Sequence, residues 1–148
     1  MPLLRKSSLL GYLFGLVALA GFFDATYLAI KHFEGLAPNC SILNGCEVVT
    51  TSSYSVIFGV PVALMGSVYY LTVLLLTVAY LDSPKRWKLD SAAVVVCFGL
   101  LATVWFVYLQ LFVIHALCLY CMFSALTTTT LFLFIFFWWR HYRLLITV

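Results

Sequence analysis

Charge is nearly absent from this sequence. Of its 148 residues only 9% are Asp, Glu, Lys or Arg, against 65% that are hydrophobic. A soluble globular domain carries about 25% charged residues, and a water-facing surface is not built from so few. The chain is therefore expected to lie in a lipid bilayer. Internal repeats, polar linkers and low-complexity tails are also missing, so a single transmembrane domain over residues 1–148 accounts for the whole chain. The small net charge of +3 reads as a signal of membrane orientation, and no nucleic-acid partner is expected.

What the sequence has is four long apolar runs, at about 9–30, 60–81, 90–114 and 117–138. Crossing a bilayer takes roughly 20 helical residues. Lipid offers no partner to free backbone groups, so such runs must be helices. The fold class is all-α, an integral membrane four-helix bundle with one sizeable loop, 31–59, between helices 1 and 2. Arg5 and Lys6 before the first run, with Ala18-Leu19-Ala20 inside it, have the pattern of a signal peptide. The apolar stretch continues to Ile30, well past that point, and reads as a retained helix.

Orientation follows from the basic residues. Arg5 and Lys6 precede the first span, Lys85, Arg86 and Lys88 join the second and third, and Arg140 and Arg143 follow the fourth. With an even number of spans these groups share one face, which the positive-inside rule makes cytoplasmic. The termini are then cytoplasmic, and the 31–59 loop faces outward, into a periplasm or an equivalent oxidising space. Trp138 and Trp139, next to Arg140, read as an inner-face anchor.

Of five cysteines, Cys97 lies alone within the third span and reads as a small buried apolar residue. The other four fall on the outward side in two close pairs. In ALCLYCMF, Cys118 and Cys121 stand three apart at the start of the fourth span, on one helical face. The positive end of a helix favours a thiolate there, and the thiolate is the species that attacks disulfides. In CSILNGC, Cys40 and Cys46 flank Asn44-Gly45, a turn signal whose residues tolerate positive φ. Such a turn can return the chain so that the sulfurs meet. Outward cysteines also make static bridges, so a fixed staple remains open for this pair. A metal is disfavoured, since the first pair has five intervening residues where zinc ligands have two to four. Haem attachment wants His after a Cys-x-x-C, and Met122 stands there.

Four spans, a spaced cysteine pair in the first outward loop and Cys-x-x-C at the start of the fourth helix resemble the vitamin K epoxide reductase family. The segment CEVVTTSSYSVIFGVPVALMG, residues 46–66, is similar to the family's stretch in which a Ser/Thr-rich short half-helix leads through a Gly-x-Pro step into helix 2. The resemblance covers essentially the entire chain. It implies a quinone-linked thiol–disulfide oxidoreductase in which Cys40 receives electrons from a reduced thioredoxin-fold (DsbA-like) partner. Cys46 then exchanges with Cys118, and Cys121 faces the quinone. For a prokaryotic-type member, the implied location is a bacterial inner membrane with the active site periplasmic. The chain ends at Val148 with no fused thioredoxin-like domain, so a separate partner protein is expected. Animal members carry Tyr where this chain has Ala125, and Asn where it has Ser55, if Phe58-Gly59 is aligned with their Phe-Gly step. In those members both positions touch the ring, so the resemblance implies ubiquinone or menaquinone as acceptor, with vitamin K also in range.

Ser55 and Phe58 of the loop, Trp105 and Tyr108 of the third span, and Ala125 of the fourth are the candidate quinone contacts. Core packing is the commoner role for any one of Trp105, Phe106 and Tyr108. Asp24 is the one acid well inside a span, roughly 10 Å below the outer end of the first helix at 1.5 Å per residue. A carboxyl at that depth reads either as a proton-handling group or as a structural one. His115 stands three residues before the Cys-x-x-C, as a proton-moving group or a simple interfacial histidine. Gly11 with Gly15, and Gly59, Ala63 and Ser67, are small-residue ridges suited to close helix packing. The rival readings are a second quinone-linked disulfide oxidase family, whose two motifs come in reverse order, and a non-enzymatic membrane assembly subunit with static outward disulfides.

Overall fold

The computed structural model describes the backbone of residues 2–38, 40 and 45–146, and the side chains of 9–38, 40 and 45–140. In chain order the elements are α1 (Pro2–Phe33), α2 (Cys46–Thr50), a 3-10 turn (Ser53–Ser55), β1 (Val56–Ile57), β2 (Val60–Pro61), α3 (Val62–Asp82), α4 (Arg86–Tyr108), a π turn (Leu109–Val113) and α5 (Leu119–Ile146). Four of these helices are long and apolar enough to cross a membrane. The architecture is an all-α membrane bundle, with the short helix α2 in the loop between the first two spans.

The span ends differ from the hydropathy reading because local chemistry sets them. The second span begins at Val62 rather than Val60, since Val60 and Pro61 pair antiparallel with Ile57 and Val56. Phe58 and Gly59 make the turn between those strands with φ of 51° and 80°, the two left-handed positions of a tight hairpin. Gly59 thus serves this turn and is not on a helix ridge. At the other end, Pro84 disfavours helix at Ser83, which is extended at φ −141° and ψ 99°. α4 restarts at Arg86. The Lys88 ammonium donates to the Ala79 carbonyl at 2.6 Å, which also accepts from the Ser83 amide at 3.2 Å, a common arrangement at a helix C-terminus.

α1 packs on α3 and α5, and α4 packs on the same two. Gly11 and Gly15 face Leu81 and Thr77 of α3, as their ridge predicts. At the centre Tyr70 is wholly buried. Its hydroxyl meets the Ser124 carbonyl at 2.8 Å and the hydroxyls of Thr127 and Thr128 at 2.7 and 2.9 Å. This polar knot ties α3 to α5 where no water competes.

Three expectations are corrected. Cys97 is exposed on the bundle surface, because Val96 takes the inward position and the next residue turns about 100° away. Trp138 packs inward, edge-on to Tyr80 with centroids 5.2 Å apart, so of the two tryptophans only Trp139 stands outside. Gly45 has φ −88°, so its lack of a side chain serves something other than a left-handed turn; Asn44 lies outside the described residues.

Candidate functional site

The site begins where α4 stops being regular. Over Leu109–Val113 the helix widens by one residue per turn, and the Ile114 amide donates to the Leu109 carbonyl at 2.8 Å. Such π turns are frequent at functional sites. Here the turn carries Gln110 inward, where it is almost fully buried. Its backbone carbonyl accepts from Ala116 at 3.1 Å, and its side-chain oxygen accepts from the Cys118 amide at 3.0 Å. One glutamine therefore steers the chain out of α4 and satisfies an amide that the N-terminus of α5 would leave open. His115 sits between, exposed and with φ of 54°.

Against this turn lies the loop helix α2. Gly45, just before it, comes so near Leu117 that a Cβ there would fall 2.5 Å from the Leu117 carbonyl oxygen. Only glycine permits that approach. It brings Cys46, Val49 and Cys118 into one buried cluster, with Cys40, Tyr120 and Cys121 packed around it. Cys40 and Cys46 are joined in a disulfide with Cα atoms 6.2 Å apart, whereas Cys118 and Cys121 are free thiols. Cys46 and Cys118 are sealed, while Cys40 and Cys121 are half-buried. With two of the four sulfurs bonded to each other, no group of three metal-ligating side chains is assembled among the described residues.

Cys118 is the electrostatically prepared thiol. The Cys121 thiol donates to it, and the Cys121 and Tyr120 amides at the start of α5 point toward it. Together they lower its pKa to about 7 against the penalty of burial.

Cys121 stands in the wall of an almost entirely apolar cavity of about 600 Å³, within the bundle at its loop end. Ser55, Trp105 and Ala125 also line it. Tyr108 does not; it stacks on Trp105 from outside, with centroids 6.0 Å apart. Phe58, at the hairpin tip, is completely exposed and does not reach the cavity. Ser55 spends its hydroxyl proton on the Ser52 carbonyl at 2.7 Å, so its side chain has no donor left for a ligand. Asp24 is on the cavity wall, and His115 is not. Sequence reading missed Gln110 and Tyr69, both of which line the cavity. Gln110 had a signal, as a lone amide in an apolar span; Tyr69 had none, as one of nine tyrosines.

A free dithiol, a disulfide packed against it and an apolar pocket behind, all set in a membrane-crossing bundle, define a class of integral membrane protein organised around thiol–disulfide chemistry. The sequence agrees with that class over most of its length. Residues 12–136 match the vitamin K epoxide reductase family, and the chain belongs to it. Its members are membrane thiol–disulfide oxidoreductases that use quinones as electron acceptors and work with thioredoxin-like partners. A search of the curated proteins found no match.

Proposed function

We propose that this protein oxidises the dithiol of a thioredoxin-fold partner and delivers the electrons to a quinone held in the apolar cavity. The observation that carries this reading is the order of the four sulfurs: Cys40 toward the surface, Cys46 and Cys118 buried together, and Cys121 in the cavity wall. A cavity of about 600 Å³ is in the usual size range for a small-molecule site, and its apolar walls suit a quinone ring. A quinone bound there accepts two electrons and two protons and leaves as the quinol.

The protein's own steps are thiol exchanges. A partner thiolate attacks Cys40 and frees Cys46, and the partner's second thiol closes its own disulfide, leaving Cys40 and Cys46 reduced. Cys46 attacks Cys118 of an oxidised Cys118–Cys121 pair, forming Cys46–Cys118 and freeing Cys121. Cys40 then attacks Cys46, which restores Cys40–Cys46 and expels Cys118. A thiol of lowered pKa is a good leaving group, which suits Cys118 to that place. Two electrons then rest on Cys118 and Cys121, and they leave as that disulfide re-forms. Cys40–Cys46 bonded and Cys118 and Cys121 free are the cysteine states that the scheme gives to the electron-loaded protein.

In this reading the protein resides in a bacterial inner membrane. The loop end with its cysteines is periplasmic and the termini cytoplasmic, as the distribution of Lys and Arg supports. Ubiquinone and menaquinone are the proposed acceptors. The test follows quinone absorbance after adding protein that has been reduced with dithiothreitol and desalted. Rapid reduction by wild type, and none by a folded Cys121→Ser variant, is the expected result. No reduction by either, with both folded, would reject the reading.

A further inference from the structure

Buried polar side-chain atoms in folded proteins nearly always have a hydrogen-bond partner. Among the described residues two do not: Oδ2 of Asp24 on α1 and the hydroxyl of Tyr69 on α3. Both residues line the cavity that Cys121 lines from α5. Thr128 lies close to Tyr69 without making a hydrogen bond of ordinary geometry to it, and the Thr128 hydroxyl meets that of Tyr70 at 2.9 Å. Asp24 is near enough for its charge to act on both Cys118 and Cys121. A carboxyl with an unpartnered oxygen in an apolar wall of a membrane protein is costly, and two unpartnered polar atoms on residues of one pocket point to a ligand that completes them.

We infer that Asp24 and Tyr69 are the polar contacts of the electron acceptor, Tyr69 orienting it and Asp24 carrying protons to it. This rests on the quinone-reducing function proposed above. The Tyr69 hydroxyl donates a hydrogen bond to one carbonyl oxygen. The Asp24 carboxyl gives its proton to the other oxygen as electrons leave the thiol pair, and it takes a proton back from the Cys121 thiol. When Cys118–Cys121 has closed, two electrons have passed from the pair to the acceptor and Asp24 is again protonated; one proton has come from Cys121 by way of Asp24, and the other comes from the Cys118 thiol or, where Cys118 is already a thiolate, from water. The polar contacts so assigned are on α1 and α3 rather than at Ser55, whose hydroxyl proton is already committed.

The test uses the full chain in lipid nanodiscs, with a short-chain ubiquinone analogue as probe. Binding is read without turnover, as quenching of tryptophan fluorescence in fully oxidised protein, which has no electrons to pass, because Trp105 lines the cavity. Rate is read separately as oxidation of the reduced protein. Tyr69→Phe is expected to weaken binding about tenfold, the loss of one hydrogen bond, and unchanged binding in that variant would overturn the role given to Tyr69. Asp24→Asn is expected to bind within about threefold of wild type but react about 100-fold more slowly, a typical loss for a missing general acid. Asp24→Glu should recover part of that rate. Wild-type rates in Asp24→Asn would overturn the inference. So would parallel loss of binding, rate and thermal stability in Asp24→Asn with no recovery in Asp24→Glu, the pattern of a structural residue. A wild type that binds the analogue and never reduces it would reject the proposed function and this inference together. The earlier outcomes are judged against an active wild type and leave that function standing.

Discussion

Gly45 and Leu117 are in backbone contact, with room at Gly45 for a hydrogen and none for a methyl group. This contact joins the loop between the first two spans to the start of α5, and it presses Cys46 toward Cys118. Gly45→Ala forces the two backbones apart. The expected cost is about 1–3 kcal/mol, as for other overpacked sites, and exchange between the two cysteine pairs slows. Chemical denaturation in detergent checks the first effect, and the rate of re-oxidation of Cys40–Cys46 by added quinone checks the second.

Cys118 titrates near pH 7 because the Cys121 thiol and two amides of the α5 N-terminus stabilise its thiolate. Thiolate forms as pH rises through the pKa. The ultraviolet absorbance of the Cys118 thiolate in the reduced protein should therefore climb between about pH 6 and 8, where an ordinary thiol with pKa about 8.5 is mostly protonated. Cys121→Ala removes the largest stabilising contact and should move the midpoint of that rise upward. The difference in absorbance from a Cys118→Ser variant isolates the signal of this buried thiol. An unmoved midpoint would mean that the amides alone set the titration.

Gln110 holds the Cys118 amide at 3.0 Å from a buried position. Gln110→Leu keeps the volume and leaves that amide unpaired. A buried donor without a partner costs about 1–3 kcal/mol, and the denaturation midpoint should fall accordingly. Gln110→Glu retains an acceptor oxygen and should lose less thiol reactivity than Gln110→Leu.

Trp105 lines the cavity and Phe58 does not. Trp105→Ala should raise KM for a quinone analogue about 3–10-fold, since aromatic stacking is worth roughly 0.5–1.5 kcal/mol. Phe58→Ala should change KM by less than about twofold. A large effect at Phe58 and none at Trp105 would place the acceptor outside the cavity described here.

The four spans were legible because each is a long apolar run, and that signal is strong. Their ends were less so. Val60 and Pro61 are apolar and read as helix, yet they pair with Val56 and Ile57 across a turn whose first residue is a left-handed Phe, a conformation that bulky side chains rarely take. The two cysteine pairs were legible from spacing, and Asp24 from its depth. Spacing carries no information on which way a ring points, so Phe58 and Tyr108 were chosen for their chemistry and stand outside the cavity. Tyr69 had no mark in the sequence, because its significance is a missing partner, and that is visible only once the helices are packed. Gly45 was read as a turn residue for its freedom of φ; its contact with Leu117, 72 residues further on, is a tertiary fact.

The relay through Cys46 and Cys118 is tested most directly by trapping it. In a Cys40→Ala, Cys121→Ala double variant neither resolving thiol is present, and Cys46 and Cys118 remain packed in one buried cluster. The chain, purified under mild oxidation and digested without reduction, should yield a peptide pair linked between residues 46 and 118 in most molecules. Two free, fully alkylated cysteines in a folded variant would contradict the relay and leave the Cys40–Cys46 bridge as a static staple.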